Sequence, residues 1–279
     1  MRICYTSDLH GRDMLYDQLA ELLRQEQPDL AILGGDMLPD GDDHDPDGTQ
    51  AAWVHAHLRP RLELWKRALP DLTFAFLMGN HDWLRSEQAV RAEQDAGLLT
   101  VLEVNRIWSC QGVKFLGCPL SPPTPHWVKD YERLDENGDA VPDFGGSVWA
   151  TGPDGIGEVN AEQHFRTRPS MAAELARATV PPEPWILVAH TPPYDTGLDR
   201  LPNVDYPIGS KAVRAFVESN RPLCALHGHV HESPEVTGHW ANDVSGVLCI
   251  NPGQKHEQLH AVCFDTDRLR GSLWHTVLS

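Results

Sequence analysis

Short, unbroken apolar runs recur along this chain, and five of them end in an oxygen or imidazole side chain. The endings are Ser7-Asp8-Leu9-His10-Gly11, Gly35-Asp36, Gly79-Asn80-His81-Asp82, His190 in Ala189-His190-Thr191-Pro192-Pro193, and Gly228-His229-Val230-His231. An apolar run without alternation suits a strand buried on both faces, which confines the chain to a layered α/β arrangement. One such ending would mean little, because an Asp after a strand can cap a helix and an Asn can make a turn. Five in order place seven ligand-type residues, with no thiolate among them, at the ends of strand-like segments.

The first half alternates strand and helix. Residues 3–6, 30–33 and 74–78 read as strands. Between and after them lie helical patterns at 15–25, with Leu15, Leu19, Leu22 and Leu23 on one face, at 51–69, disturbed at Pro60, and at 86–96. Strands separated by helices of this length imply βαβ units and parallel pairing. Residues 107–109 and 113–116 flank Gln111-Gly112 as a hairpin. Residues 119–158, rich in Pro, Gly, Asp and Trp, show no sustained period and are expected to form a cap or rim over a site. Helices are expected at 171–179 and 210–218, with strands at 185–189 and 223–226. Period-two patterns at 236–240, 246–250, 259–265 and 271–277 suggest a second, largely antiparallel sheet. No composition shift marks a boundary, so residues 1–279 are expected to form a single domain, with an acidic insertion near 39–50.

Charge narrows the partners. With 40 acidic and 23 basic side chains, the formal net charge is −17, which repels long nucleic acid, and no Lys/Arg run offsets it. No apolar stretch approaches the ~20 residues that span a bilayer, so no membrane partner is expected. The six cysteines contain no CxxC pair and lie mostly in apolar runs, as reduced, buried thiols would. Ligand-type residues begin at position 8, with no signal-peptide pattern before them, and the chain is expected to be cytoplasmic. Its oligomeric state is left open.

The chemistry follows from spacing. In an extended segment residues i and i+2 share a face, so Asp8 and His10 can grip one cation. A carboxylate has two oxygens and can bridge two cations, which an imidazole cannot; Asp36 is the candidate. Asn80 offers a neutral amide oxygen, His190 a further imidazole, and His229 and His231 one imidazole each. Mixed N/O ligation suits two divalent transition-metal ions, with Mn, Fe, Zn and Co all admissible.

The ordered set resembles the calcineurin-like metallophosphoesterase superfamily, whose pattern is DxH, GD, GNH[DE], H and GHxH. The match runs from 8 to 231, and Asn251-Pro252-Gly253 resembles a later element of the family. The resemblance implies a four-layer α/β/β/α sandwich of two mixed β-sheets flanked by helices. It also implies one metal held by Asp8, His10, Asp36 and His231, and another by Asp36, Asn80, His190 and His229. Two cations roughly 3.5–4 Å apart would bind a phosphoester and activate a bridging hydroxide that attacks it. His81 is then left as general acid or stabiliser of the leaving oxygen.

Departures from the pattern bear on the substrate. Phosphoprotein phosphatases of this superfamily resemble GDxVDRG and RGNHE. Here Pro39 stands where the carboxylate that orients the histidine would be, and Met78 where a phosphate-gripping arginine would be. A dianionic monoester wants such arginines, so a small phosphodiester, including a nucleotide-type one, is the expected substrate. The alternatives are a phosphomonoesterase of the same superfamily, an inactive scaffold of the same fold, or a metal store. Asp40, then Asp82, are the candidates to orient His81. Tyr194, His227, Arg12 and Lys255, with Asn80 and His81, are candidate substrate contacts. Trp127, Tyr131 and Trp149 either stack on a ring or pin the long loop. Asp43, Asp45 and Asp47 match half of a calcium loop but lack its closing Glu, as a solvated acidic stretch would.

Overall fold

The apolar runs form strands covered on both faces. The computed structural model describes residues 1–40 and 49–278, so Asp43, Asp45 and Asp47 and most of the expected insertion lie outside the described residues. The first strands are β1 (Arg2–Thr6), β2 (Leu30–Gly34), β3 (Thr73–Leu77) and β4 (Thr100–Val101). Next come β5 (Trp108–Cys110), β6 (Val113–Cys118), β7 (Ser147–Gly152), β8 (Gly155–Asn160), β9 (Trp185–Ala189) and β10 (Cys224–Leu226). The last are β11 (Ala241–Val244), β12 (Val247–Ile250), β13 (Val262–Asp265) and β14 (Trp274–His275). Two six-stranded mixed sheets result, ordered β14-β13-β1-β2-β3-β4 and β11-β12-β10-β9-β6-β5, with β7 and β8 as a separate hairpin.

Alternation along each strand divides the core. Ile3, Tyr5, Leu30 and Ile32 meet Phe115, Ile186, Val188 and Leu226 in the layer between the sheets. The intervening Cys4, Ala31, Leu33 and Phe74 join a cluster with Leu15, Leu19, Leu22 and Leu62 from helices. Helix Asp13–Glu26 buries the stripe read from the sequence and stops at Gln27, whose φ of 43° is left-handed. The expected disturbance at Pro60 is a π-helical turn, Val54–Leu58, between helices Thr49–Trp53 and Arg59–Ala68. Proline cannot donate to the carbonyl four residues back and crowds it; a wider turn just before Pro60 relieves the clash. Among the described residues, no helix is long and apolar enough to cross a membrane.

Several expectations need correction. The second sheet is not largely antiparallel: β6, β9, β10 and β12 run parallel, and only β5 and β11 at its edges are antiparallel. Helix Lys211–Asn220 is the crossover between β9 and β10, which explains that pairing. The C-terminal strands divide between the sheets, because β13 and β14 extend the first one beside β1. Residues 236–240 are not a strand. Helix Ser233–Thr237 has a proline in its first turn and ends at Gly238 in the left-handed region, a pairing that outweighs a weak period of two. Within 119–158, β7 and β8 form a hairpin around Gly152-Pro153-Asp154-Gly155, a turn sequence with a mechanism of its own.

The cysteines are also corrected. Antiparallel β1 and β13 set Cys4 opposite Cys263 with Cα atoms 4.3 Å apart, and the two form a disulfide. Residues 259 apart in sequence meet only because β13 docks beside β1. The expectation of six reduced thiols fails, and with it the cysteine argument for a reducing compartment. Cys110, Cys118, Cys224 and Cys249 are free. Unfolded in denaturant without reductant, the protein is expected to titrate four thiols with a chromogenic disulfide reagent, rising to six after reduction. Six thiols before reduction would show the pair to be open.

Candidate metal centre

The loops that follow β1, β2, β3, β9 and β10 meet and are tied together by their own backbones. Asp8 N donates to Gly35 O at 2.9 Å and His10 N to Asp36 O at 2.9 Å, while Gly228 N donates to His190 O at 2.8 Å. The Asp8 carboxylate accepts from His229 N at 3.0 and 3.1 Å, and the Asp36 carboxylate from His81 N at 2.8 Å. Four of the segment residues, Asp8, His10, Asp36 and His229, have φ between 47° and 65°. That region is strained for such residues and persists where surrounding structure enforces it, as at functional sites. Two glycines permit the close packing. A Cβ at Gly79 would collide with the Asp36 carboxylate, and one at Gly228 with Ser7 and Asp8.

Donor atoms then converge in overlapping groups, Asp8–His10–Asp36 and Asp36–His190–His229, each lying within 4.8 Å. Asp36 belongs to both and is only 2% exposed. Asn80 Oδ1 stands 2.8 Å from His229 Nδ1 and 3.2 Å from His190 Nε2. Its Nδ2 is buried without a partner, so the amide directs its oxygen into the cluster, as a cation requires. These residues fit two cations. His231 is less committed: its ring is 6.1 Å from that of His10, and its Nδ1 lies 3.3 Å from Glu232.

Charge within the cluster is balanced locally. Burial opposes ionisation of Asp36, but His190 and His81 hold its carboxyl well below the usual carboxylate range. Burial likewise lowers His190, yet the charge of Asp36 and the contact at 3.1 Å raise it to about 9. Burial and the neighbouring charge of Asp36 push Asp82 up to about 7. Asp82 does not touch the His81 ring; it accepts from Gly79 N at 2.8 Å and Leu38 N at 3.2 Å and so shapes both loops.

His81 is held by Asp40, whose Oδ1 is 2.8 Å from His81 Nδ1 and 2.9 Å from His10 Nδ1. The carboxylate missing at Pro39 is thus supplied one residue later. Gln50, fully buried, donates to Pro39 O and His81 O at 2.9 Å each and accepts from Trp83 N at 2.8 Å. His126 stacks on His81 with ring centres 3.6 Å apart. Sequence reasoning missed Gln50 and His126. Its nearest signal for the second was the stiff Pro122-Pro123-Thr124-Pro125 that precedes it.

The other candidates divide. Tyr194 lines a cavity of about 610 Å³ together with Asp36, Asn80, His81, His229 and His231. Arg12 and Lys255 line a smaller one of about 190 Å³ with Asp8, His10, Asp40, His81 and His231. Lys255 is ion-paired with Glu235. His227 lines neither; it is fully buried with Nδ1 facing Ala189 O at 2.9 Å and Thr191 O at 3.1 Å. Trp127 packs against Trp83 and Trp149, and Tyr131 donates to Glu87, so these aromatics pin the long loop. Asn251 donates to Leu198 O and Val230 O, bracing the segment that carries His229 and His231.

Comparison with solved structures gives the same architecture. One aligns with all of this chain and 99% of its own length at a TM-score of 0.62 and 16% identity. The protein TT1561 of Thermus thermophilus aligns at 0.56 and 16% identity, over 98% of this chain and 97% of that one. A dimetal phosphatase from Danio rerio aligns at 0.52 and 14% identity, over 94% and 92%. Identities this low establish the fold alone. No curated protein matches the chain in sequence. A family model does, that of the calcineurin-like phosphoesterases, across residues 1–233, and with five ligand segments in that family's order the chain belongs to the calcineurin-like phosphoesterase family.

Proposed function

We propose that this chain is a dinuclear metal-dependent hydrolase of small phosphodiesters. The observation that carries the reading is the sharing of one buried carboxylate, Asp36, by two donor groups. Asp8, His10, Asp36 and His231 would hold one cation, and Asp36, Asn80, His190 and His229 the other. Two bound divalent cations would neutralise phosphoryl oxygens and make water a stronger nucleophile at neutral pH. The N/O donor set admits Mn, Fe, Zn or Co.

The chain's own residues supply the rest. His229 N and His81 N fix the carboxylates of Asp8 and Asp36, so those ligands are oriented before substrate arrives. Asp40 engages His81 Nδ1 and leaves Nε2 as the nitrogen that can serve the leaving oxygen as a proton donor. Diester preference is supported by the cavity of about 610 Å³, where Lys211 is the only lysine or arginine among the described lining residues. Met78, buried, occupies the place of an arginine. A monoester dianion requires more positive charge than a diester monoanion. A monoesterase reading draws on Arg12 and Lys255, which line the smaller cavity beside Asp8 and His10.

Three outcomes are expected. Asp36→Asn loses at least about 1,000-fold in kcat/KM and binds less of both metals by elemental analysis, because one ligand serves two cations. An unchanged rate removes the bridging role. His81→Ala keeps its metal content but loses about 100-fold or more in kcat, with the largest loss on esters of poor leaving groups. Parallel loss of bound metal would make His81 a ligand instead. With metal-loaded protein, bis-p-nitrophenyl phosphate is expected to exceed p-nitrophenyl phosphate in kcat/KM by about tenfold, and the reverse order would favour the monoesterase.

A further inference from the structure

We propose that the cavity of about 610 Å³ beside the metal centre is a subsite for an uncharged planar ring on the substrate's ester group. The proposal rests on the phosphoester-hydrolase reading and deepens it. The cavity is also lined by Asp36, Asn80, His81 and His229, so a phosphoryl group held there would extend its substituent into it.

One stretch of the lining is Pro122-Pro123-Thr124-Pro125-His126. Three prolines restrict its backbone, and a buried ion pair fastens it. Lys129 Nζ lies 2.9 Å from Glu132 and donates to the carbonyls of Thr124 and His126. Glu132 in turn accepts from Thr124 N at 3.0 Å and Thr124 Oγ1 at 2.6 Å. A second stretch of the lining carries Tyr194, Tyr206, Pro207 and Ile208. Its loop is closed by Asp199, fully buried, which accepts from Asp195 N at 2.7 Å and Gly209 N at 3.1 Å. Both stretches are therefore set before a ligand arrives, which lowers the ordering cost of binding.

Tyr206 identifies the occupant. It is 66% exposed on this braced loop and has no ring neighbour among the described residues, whereas most other aromatics of the chain are buried or stacked. An exposed tyrosine in the lining of a cavity offers a flat amphipathic surface for a second ring. Beyond the candidate ligand Asp36 and the histidines, the charged lining is Asp135, Asp139 and Glu232 against Lys211, a net negative surface that disfavours a further phosphate.

Competitive inhibition by simple phosphonates tests the subsite in the metal-loaded full-length protein, with bis-p-nitrophenyl phosphate as reporter. Methylphosphonate can engage the metals alone, while phenylphosphonate adds one ring. Phenylphosphonate is expected to inhibit about tenfold more tightly. In Tyr206→Ala that preference should narrow to about threefold or less while inhibition by methylphosphonate is unchanged. Equal inhibition by the two in the unmodified protein, or a preference untouched by Tyr206→Ala, overturns the subsite. Failure of methylphosphonate to inhibit at all overturns the metal-centre reading, and the subsite with it.

Discussion

A carboxylate with almost no exposure stands at the point where two sheets open onto one edge. Asp36 is 2% exposed, with the His190 ring 3.1 Å away and the His81 backbone donating to it. Burying a charge of this kind is costly unless cations and hydrogen bonds answer it. The backbone at Asp8, His10, Asp36 and His229, around this carboxylate, is strained as well. Each of these residues lies in a loop just beyond a strand, and the hydrogen bonds between those loops keep its left-handed backbone in place. The parallel centres of both sheets thus act as a frame that aims five loops at one carboxylate.

The frame was legible because buried parallel strands leave an unmistakable trace, a run such as Leu30-Ala31-Ile32-Leu33 with no polar position. The convergence of the candidate ligands was legible because five such runs end in a ligand-type residue. What failed was of a different kind. Cys4 and Cys263 meet through β1–β13 pairing, and no local pattern encodes which sheet a late strand will join. Residues 236–240 mixed a faint alternation with a proline and a glycine, and the stronger signals of helix start and stop prevailed. The long middle segment hid a hairpin because only Val148 and Ala150 alternate inward on β7, while β8 is largely uncovered. Gly152-Pro153-Asp154-Gly155 was the available clue.

Local chemistry was harder to read than the ligand order, since side chains reach across sequence gaps that a motif ignores. Pro39 in place of a carboxylate looked like the loss of a positioning group, yet Asp40 reaches both His81 and His10 from the next position. Asp82, the fourth residue of its motif, was the other candidate and instead accepts two backbone N–H groups. The difference is one of direction. Asp82 is buried beneath the loop and Asp40 stands at its rim, and only a rim carboxylate can face an imidazole that also faces a cavity.

The two cavities beside the candidate metal centre bear on how a substrate would be held. His81 and His231 line both, so each belongs to a ridge between a small chamber with Arg12 and Lys255 and a larger one with mainly apolar walls. A phosphoester held at that ridge would meet unlike surroundings on its two sides. The proton donor proposed at His81 stands between them and can serve a leaving oxygen on either side, so the choice of which bond breaks would rest with the shapes of the chambers rather than with the donor. In the reading proposed above, metal ligands would fix the reaction class, while the loop at Pro122–His126 and the loop bearing Tyr206 would decide which ester is presented for cleavage.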